Sequence, residues 1–427
     1  MIKEKLMNNL FMKQFFKYNI GMKQIVVLML GVLFITSCSK TVEIESSEAE
    51  QQYFYKTFSS LNESNSTFVD ELPNGDIIIA GAWQSVGSAP RTVIIKRTDA
   101  FGTIIWKKEI PTAKEFYCQG AVMSNGDYVF NSAFSSTEVI RINADGKVIY
   151  HTEFDPTLRY NNWIGLPAEG ENGSVLIPHT NGPGTGSASD TYIYTIGKQG
   201  NNERVQKLED YDFNGKLLTI QVLKYVDGEY WITGTTYEAP FTGWSDVMKT
   251  FVAKVKHGTP ATVYVKDSRD TKFGMQRVSA YTSDKQVVTV VTKTSAIWEN
   301  QPNPQSSFDI LKFGEDVDLK WQTTVALDVL TLEPLSLTEN NKGEYVITGD
   351  CSVRGSSGRL PFVAKVNSSG DVTFTKIFRL AESVSFSYGL QSDDGSFIFT
   401  GSTSGFGNSL ENFNIVLMKT DELGNRN

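Results

Sequence analysis

The stretch KGEYVITG, Lys342 to Gly349, decides the fold, because it is written seven times along the chain. Close copies are NGDIIIAG (74–81), DGEYWITG (227–234) and DGSFIFTG (394–401). Looser ones are NGDYVFNS (125–132), NGSVLIPH (172–179) and SDKQVVTVV (283–291). The turn positions Gly75, Gly126, Gly173, Gly228, Lys285, Gly343 and Gly395 follow one another at 51, 47, 55, 57, 58 and 52 residues. Asn-Gly or Asp-Gly before an apolar run predicts a type I′ hairpin turn, whose two central residues both need positive φ. The unbroken apolar run after it predicts a strand covered on both faces.

Working outward, each copy leads into a second strand-and-turn signature, such as TVIIKRTDAFG, FVAKVNSSG or FNIVLMKTDELG. Another strand follows, as in IIWKKEI (104–110), LKWQTTV (319–325) and VTFTKIF (372–378). With the segment before each first turn this makes four strands per unit of about 50 residues, the size of a propeller blade. After the seventh copy the chain stops without its fourth strand, while an orphan strand, YFYKTF (53–58), precedes the first copy. An open solenoid leaves that orphan unexplained. A closed ring uses it to complete the last blade and leaves no exposed edge. The expectation is an all-β, seven-bladed propeller of four-stranded blades, closed by the N-terminal strand. Trp106 and Trp321 recur at one position of the fourth strand and are read as packing residues.

Composition agrees. Of 427 residues, 40% are hydrophobic, 21% charged and 12% aromatic, with 35 Gly, which favours one large β core over disorder. Three His and three Cys are too few for a disulfide scaffold, a zinc ribbon or an iron–sulfur cluster. A net charge of −8 argues against a nucleic-acid partner.

The N-terminus reads as an address. Ile25 to Thr36 is apolar, follows Lys23 and precedes Ser37 and Cys38. Twelve residues span about 18 Å as a helix against a hydrocarbon core of about 30 Å, so this is a signal h-region and not a membrane span. Ile35-Thr36-Ser37-Cys38 resembles the lipobox of bacterial lipoproteins, which implies a lipid on Cys38 and a mature chain that starts there. Met22 is the natural start of a compact signal, so residues 1–21 read as an overextended gene start. Removing residues 1–37 removes five Lys and one Glu, which takes the charge from −8 to −12. Residues 38–52 carry Glu43, Glu45, Glu48 and Glu50 without an aromatic and read as a solvated tether. Acids just after the lipidated Cys resemble the surface-export signals of Bacteroidetes lipoproteins. The resemblance implies outer-membrane anchoring at the cell surface, with the periplasmic leaflet as the alternative. The domains are then a signal (1–37), a tether (38–52) and the propeller (53–427).

The repeat, roughly "DGxYIITG…FVxKVxxxGxxxW", resembles those of a loosely defined class of bacterial secreted and lipoprotein propellers. That class hosts binders, scaffolds and enzymes alike. Strand order puts the tight first-to-second and third-to-fourth turns on one face. The second-to-third loops open on the other, several of them long: 82–91, 179–190, 235–249, 292–307, 350–360 and 402–411. Binding groups favour variable loops on a rigid scaffold. The long-loop face is therefore the candidate site, with Trp83, His179, Tyr237, Phe241, Trp244 and Trp298, and with Tyr160 and Trp163 on a connection between blades. Aromatics there can stack on sugars or anchor a protein, or pack onto their own blade. Arg91, Arg354 and Arg359 can meet carboxylates or stay solvated. Asp210, Asp212 and Asn214 open a calcium-loop-like string, but Gln221 stands where its closing Glu belongs, so Ca2+ is only a weak expectation and no other cofactor is expected.

Catalytic patterns are scarce. His151, His179 and His257 are scattered, and only His179 is placed to act as a base. Cys118 and Cys351 read as buried small hydrophobes. The expected function is a lipid-anchored binding or scaffold propeller that meets a glycan or an envelope protein. The alternative is a carbohydrate-active hydrolase or lyase with acids in the central funnel.

Overall fold

The computed structural model describes residues 52–58, 63–84, 92–112, 118–132, 137–154, 162–181, 191–208, 216–237, 248–256, 262–267, 274–293, 307–354, 358–380, 384–404 and 413–426. They form seven antiparallel sheets arranged in a ring, with neighbouring strands in chain order in all but the third, whose inner strand is in two pieces, and the seventh. The sixth blade runs from its innermost strand Thr331–Glu339 through Tyr345–Ser352 and Arg359–Val366 to Val372–Ile377 at the rim. In the seventh, Val384–Gln391, Phe397–Ser404 and Phe413–Thr420 are followed by Phe54–Phe58 from the other end of the chain, with Phe54 opposite Lys419 and Phe58 opposite Ile415. The ring closes as the orphan strand predicts.

The apolar runs are explained by the seams. The buried side chains fall into seven clusters, and each cluster joins two adjacent blades. Tyr345, Ile347 and Cys351 point into the seam with the fifth blade, whereas Val346, between them, points into the seam with the seventh. Alternate side chains of one strand thus serve two interfaces, so no position is left for a polar face. Each fully buried Val, Leu, Ile or Phe contributes about 1.5–3 kcal/mol. The closing seam is built like the others, from Val69, Ile77 and Ile79 against Ile398, Ile415 and Leu417.

The hairpin turns differ in detail from the expected type I′. All seven turn positions do take positive φ, Lys285 included. Only the third and fourth blades, at Asn172-Gly173 and Asp227-Gly228, hold two consecutive residues there. In the first blade Gly75 donates its N–H to the Leu72 carbonyl and Leu72 donates to Asp76. That pattern is a three-residue loop with one left-handed residue, which lets the strands leave with more twist. It recurs at Gly126, Lys285, Gly343 and Gly395.

The Gly that ends the motif has another cause. Opposite Gly349 and Gly401 the innermost strand carries a bulge, between Pro334 and Ser336 and between Phe386 and Tyr388. A Cβ on Gly349 would collide with the Glu333 carbonyl, and one on Gly401 with that of Ser385. The motif therefore ends in Gly where the neighbouring backbone takes the room of a side chain.

Candidate functional site

The innermost strands of all seven blades surround a central cavity of about 1230 Å³. Among the described residues that line it are five carboxylates, Asp70, Glu71, Glu339, Asp393 and Asp394, and no Lys or Arg. Two of these acids, together with Glu169 outside the lining, bond across blades. Glu71, the last residue of its strand, accepts from Lys419 at 3.3 Å across the closing seam. At the same strand position Glu339 takes the backbone N–H and the hydroxyl of Ser283 at 2.6 and 3.0 Å, from the turn of the preceding blade. Glu169 does the same with Ser124, at 3.0 and 2.6 Å. Asp394 accepts from the Ser396 backbone at 2.8 Å and from Gln52 at 3.3 Å, with the Lys419 ammonium 3.8 Å away.

Among the five carboxylates that line the cavity, Asp70 is the one raised by burial. Loss of solvent pushes its pKa up to about 6, against the lowering effect of the Tyr128 hydroxyl, which donates to it at 2.9 Å from the next blade. Tyr388 is half-buried nearby, and its hydroxyl is raised by loss of solvent and then by the charge of Asp70. A carboxyl with a pKa near 6 beside phenols can exchange a proton near neutrality, and it can equally serve as a buried interblade contact.

Beneath the hairpin turns lies a device that the sequence reading missed. Asp76 pairs with Arg97 at 2.6 Å, Asp127 with Arg141 at 2.8 Å, Glu229 with Lys254 at 2.9 Å and Glu344 with Lys365 at 3.1 Å. Each is the acid after the turn residue paired with a base of the third strand. In the fifth blade the acid moves to the near side of the turn, where Asp284 meets Lys312 at 2.7 Å and its carboxyl is held below the usual range. The signal was present in NGD, DGE and KGE read together with the Lys or Arg of IIKR and FVAK. Only the fold shows that the two meet. Trp106 and Trp321 pack as expected, over Gly146 and Gly370, the left-handed residues of the next blade's third-to-fourth turn.

On the long-loop face, Tyr160, Phe241, Trp244, Trp298 and Arg91 lie outside the described residues, as do Cys38, His257 and the calcium-like string of Asp210, Asp212 and Asn214. Trp83, Trp163 and Tyr237 occupy strand positions at the loop ends of Ile77–Gln84, Asn162–Ile164 and Glu229–Tyr237. Arg354 is exposed in a turn, and Arg359 is exposed and paired with Glu333 at 2.7 Å. His179 is a correction. It lies inside the strand Val175–Asn181, not in a loop, and it is fully buried against Tyr192 and Tyr194. Its motif position is the one that Gly349 fills in the sixth blade. In the third blade the innermost strand is interrupted between Ile164 and Ala168 instead of bulged. Cys118 and Cys351 are buried free thiols, pushed up by burial to about 12 and about 11. Among the described residues no group of three or more His, Cys, Asp or Glu is placed to hold a metal, and no helix is long and apolar enough to cross a membrane.

Neither a family model nor a curated protein matches the chain. Solved structures do. The polysaccharide lyase Uly1 matches at 11% identity over 90% of this chain and 94% of its own, with a TM-score of 0.51. A Dyadobacter fermentans protein of unknown function matches at 8% identity over 86% and 97%, with a TM-score of 0.46. An alpha-L-arabinanase of Penicillium chrysogenum complexed with arabinobiose matches at 12% identity over 86% and 99%, with a TM-score of 0.41. At these identities the likeness is one of fold.

Proposed function

We propose that the chain is a non-catalytic binding or scaffold propeller. In this reading a lipid on Cys38 holds it at the outer membrane, and its long-loop face meets a glycan or an envelope protein. The observation that carries the reading is how the reactive side chains of the described residues are used. Both thiols and His179 are buried in seams, and most acids around the cavity are bonded across blades. The ring is thereby a rigid support whose variation is gathered in the loops of one face. The soluble propeller, residues 53–427, tests this on a glycan array and in pull-downs from envelope extracts. Binding is expected and should fall at least tenfold when Trp83, Trp244 and Trp298 are replaced by Ala; silence in both assays sinks the reading.

A second reading is favoured by Asp70 alone. A carboxyl raised to about 6 inside a cavity, with the Tyr128 hydroxyl on it, suits a proton-transfer role in a carbohydrate-active lyase or hydrolase. The polysaccharide lyase that shares the fold suggests the substrate class. Turnover of acidic polysaccharides by the wild type, lost in Asp70→Asn without loss of stability, would establish it. No turnover on such a panel removes it.

A further inference from the structure

We propose that the seam between the third and fourth blades holds, on the tight-turn face, a binding site for one neutral sugar ring. It lies on the face opposite the long loops, so it goes beyond the binding read for them and does not depend on it. The site is built by three replacements at one register. In five blades an aromatic of the fourth strand lies opposite a base of the third: Trp106 opposite Arg97, Tyr150 opposite Arg141, Trp321 opposite Lys312, Phe374 opposite Lys365 and Phe54 opposite Lys419. Four of these rings cover a glycine in a turn of the next blade, at Gly146, Gly200, Gly370 and Gly102. In the third blade Thr195 takes the place of the base, Arg204 that of the ring opposite it, and Ser174 that of the acid after the turn. Two hydroxyls and an extended guanidinium fill less space than an ion pair under an aromatic ring. A cavity of about 380 Å³ is left between the blades, within the range of small-molecule pockets.

The lining matches what a sugar presents. On the fourth-blade side Tyr225 and Tyr230 lie with their rings 4.7 Å apart and 54° between planes, an apolar wall for the C–H face of a sugar. On the third-blade side the two turns supply polar groups, Asn172 and Ser174 from the first and Gln199 and Asn201 from the second. These amides and hydroxyls both donate and accept, as the hydroxyls of a sugar do. Ser174 is only 4% exposed, and among the described residues nothing bonds its hydroxyl. A ligand hydroxyl meets that group without displacing a partner. Charge selects a neutral ligand. Lys198 and Arg204 are balanced by Glu171 and Glu203, so these side chains carry no net charge. Glu171 is already engaged by the Tyr225 hydroxyl, which burial raises first and that hydrogen bond next. A charged sugar of either sign is attracted by one pair and repelled by the other, whereas a neutral ring uses all four as hydrogen-bonding groups.

Calorimetric titration of the full chain with methyl glycosides tests this. The neutral arm holds hexoses and pentoses, and the charged arm holds a glucuronide and a glucosaminide. At least one neutral glycoside is expected to bind at millimolar concentration, and both charged ones about tenfold more weakly or worse. Two variants close the site. Arg204→Trp restores the aromatic lid, and Ser174→Asp with Thr195→Lys restores the ion pair. Each is expected to weaken the neutral glycoside by about tenfold or more, with urea unfolding showing that the variant is folded like wild type. If Arg204→Trp unfolds in less urea than wild type, the double variant decides, since it returns to the seam what the other blades carry there. No neutral glycoside bound by wild type overturns the site, and so does unchanged affinity in a variant as stable as wild type. Tighter binding of a charged glycoside overturns the ligand class.

Discussion

The sixth and third blades occupy equivalent places in one ring, yet they solve the same packing problem differently. The sixth keeps every part of the motif. Gly343 turns the chain, Glu344 pairs with Lys365, Gly349 admits the bulge of the inner strand, and Trp321 of the preceding blade covers Gly370. The third keeps the turn and the covered Gly, with Tyr150 of the second blade over Gly200, and loses the rest. Ser174 and Thr195 stand where the acid and the base belong, His179 stands where the Gly belongs, and the inner strand is interrupted between Ile164 and Ala168. A cavity of about 380 Å³ lies against the fourth blade, lined by Ser174, Thr195, Arg204, Tyr225 and Tyr230. The third blade holds its place all the same, because its strands still bury Val175, Ile177 and Ile196 on one side and Leu176 and Ile193 on the other. Seam burial is what a blade requires, and the polar devices refine it. The fifth blade lies between the two, since it keeps the ion pair with a relocated acid and uses Lys285 and Val317 where other blades use left-handed Gly.

The comparison breaks most visibly at the bulge. Gly349→Ala should cost more than about 3 kcal/mol, because a Cβ collides with backbone that cannot move without opening the sheet. Urea unfolding measures it, and a variant within 1 kcal/mol of wild type would mean that the bulge is not fixed. Next comes the most buried of the ion pairs, in the second blade, where the two side chains are 4% and 11% exposed. Arg141→Met leaves Asp127 without its cation, and a loss of about 3 kcal/mol is expected from the same measurement. No loss would place that blade with the third, where the pair is dispensable.

A smaller effect depends on pH. Asp350, at the end of the sixth blade's motif, is raised to about 6, chiefly by burial and against hydrogen bonds from Ser385 and the Phe386 N–H. A carboxyl with a higher pKa in the folded state takes up a proton more readily there than in the unfolded chain. Its stabilising contribution is therefore complete below about pH 4 and is lost as pH rises through about 6. Between pH 4 and 7 the wild type should lose about 2 kcal/mol relative to Asp350→Asn, and parallel stability curves for the two would contradict the assignment. Last, the third blade can be given what it lacks. Ser174→Asp with Thr195→Lys should add up to about 1 kcal/mol, the usual yield of a half-exposed pair. A net loss would show that the seam cavity has a geometry the pair does not fit.

Much of the fold was legible because seam burial writes itself along the chain. A strand that feeds two interfaces has no polar side, so YVIT-like runs repeat wherever a blade occurs, and the left-handed turn position announces itself as Gly in every blade but the fifth. The missing fourth strand and the orphan 53–58 were equally readable, since they are facts of order. The site was less legible for a matching reason. His179 looked like a loop residue because its strand lacks the terminal Gly, and only the interrupted inner strand beside it explains why a His fits. Glu71, Glu169 and Glu339 look like ordinary surface acids until their blades are set side by side.

The sequence by itself determined the repeat, the count of seven and the closure, since these follow from periodicity and strand order, which are properties of a line. The tertiary structure decided which acids are spent on seams, that burial raises Asp70 and Asp350, and that the chain enters the ring at its tight-turn face. Those outcomes depend on which groups lie across an interface, and residues some fifty positions apart become neighbours only once the ring has formed.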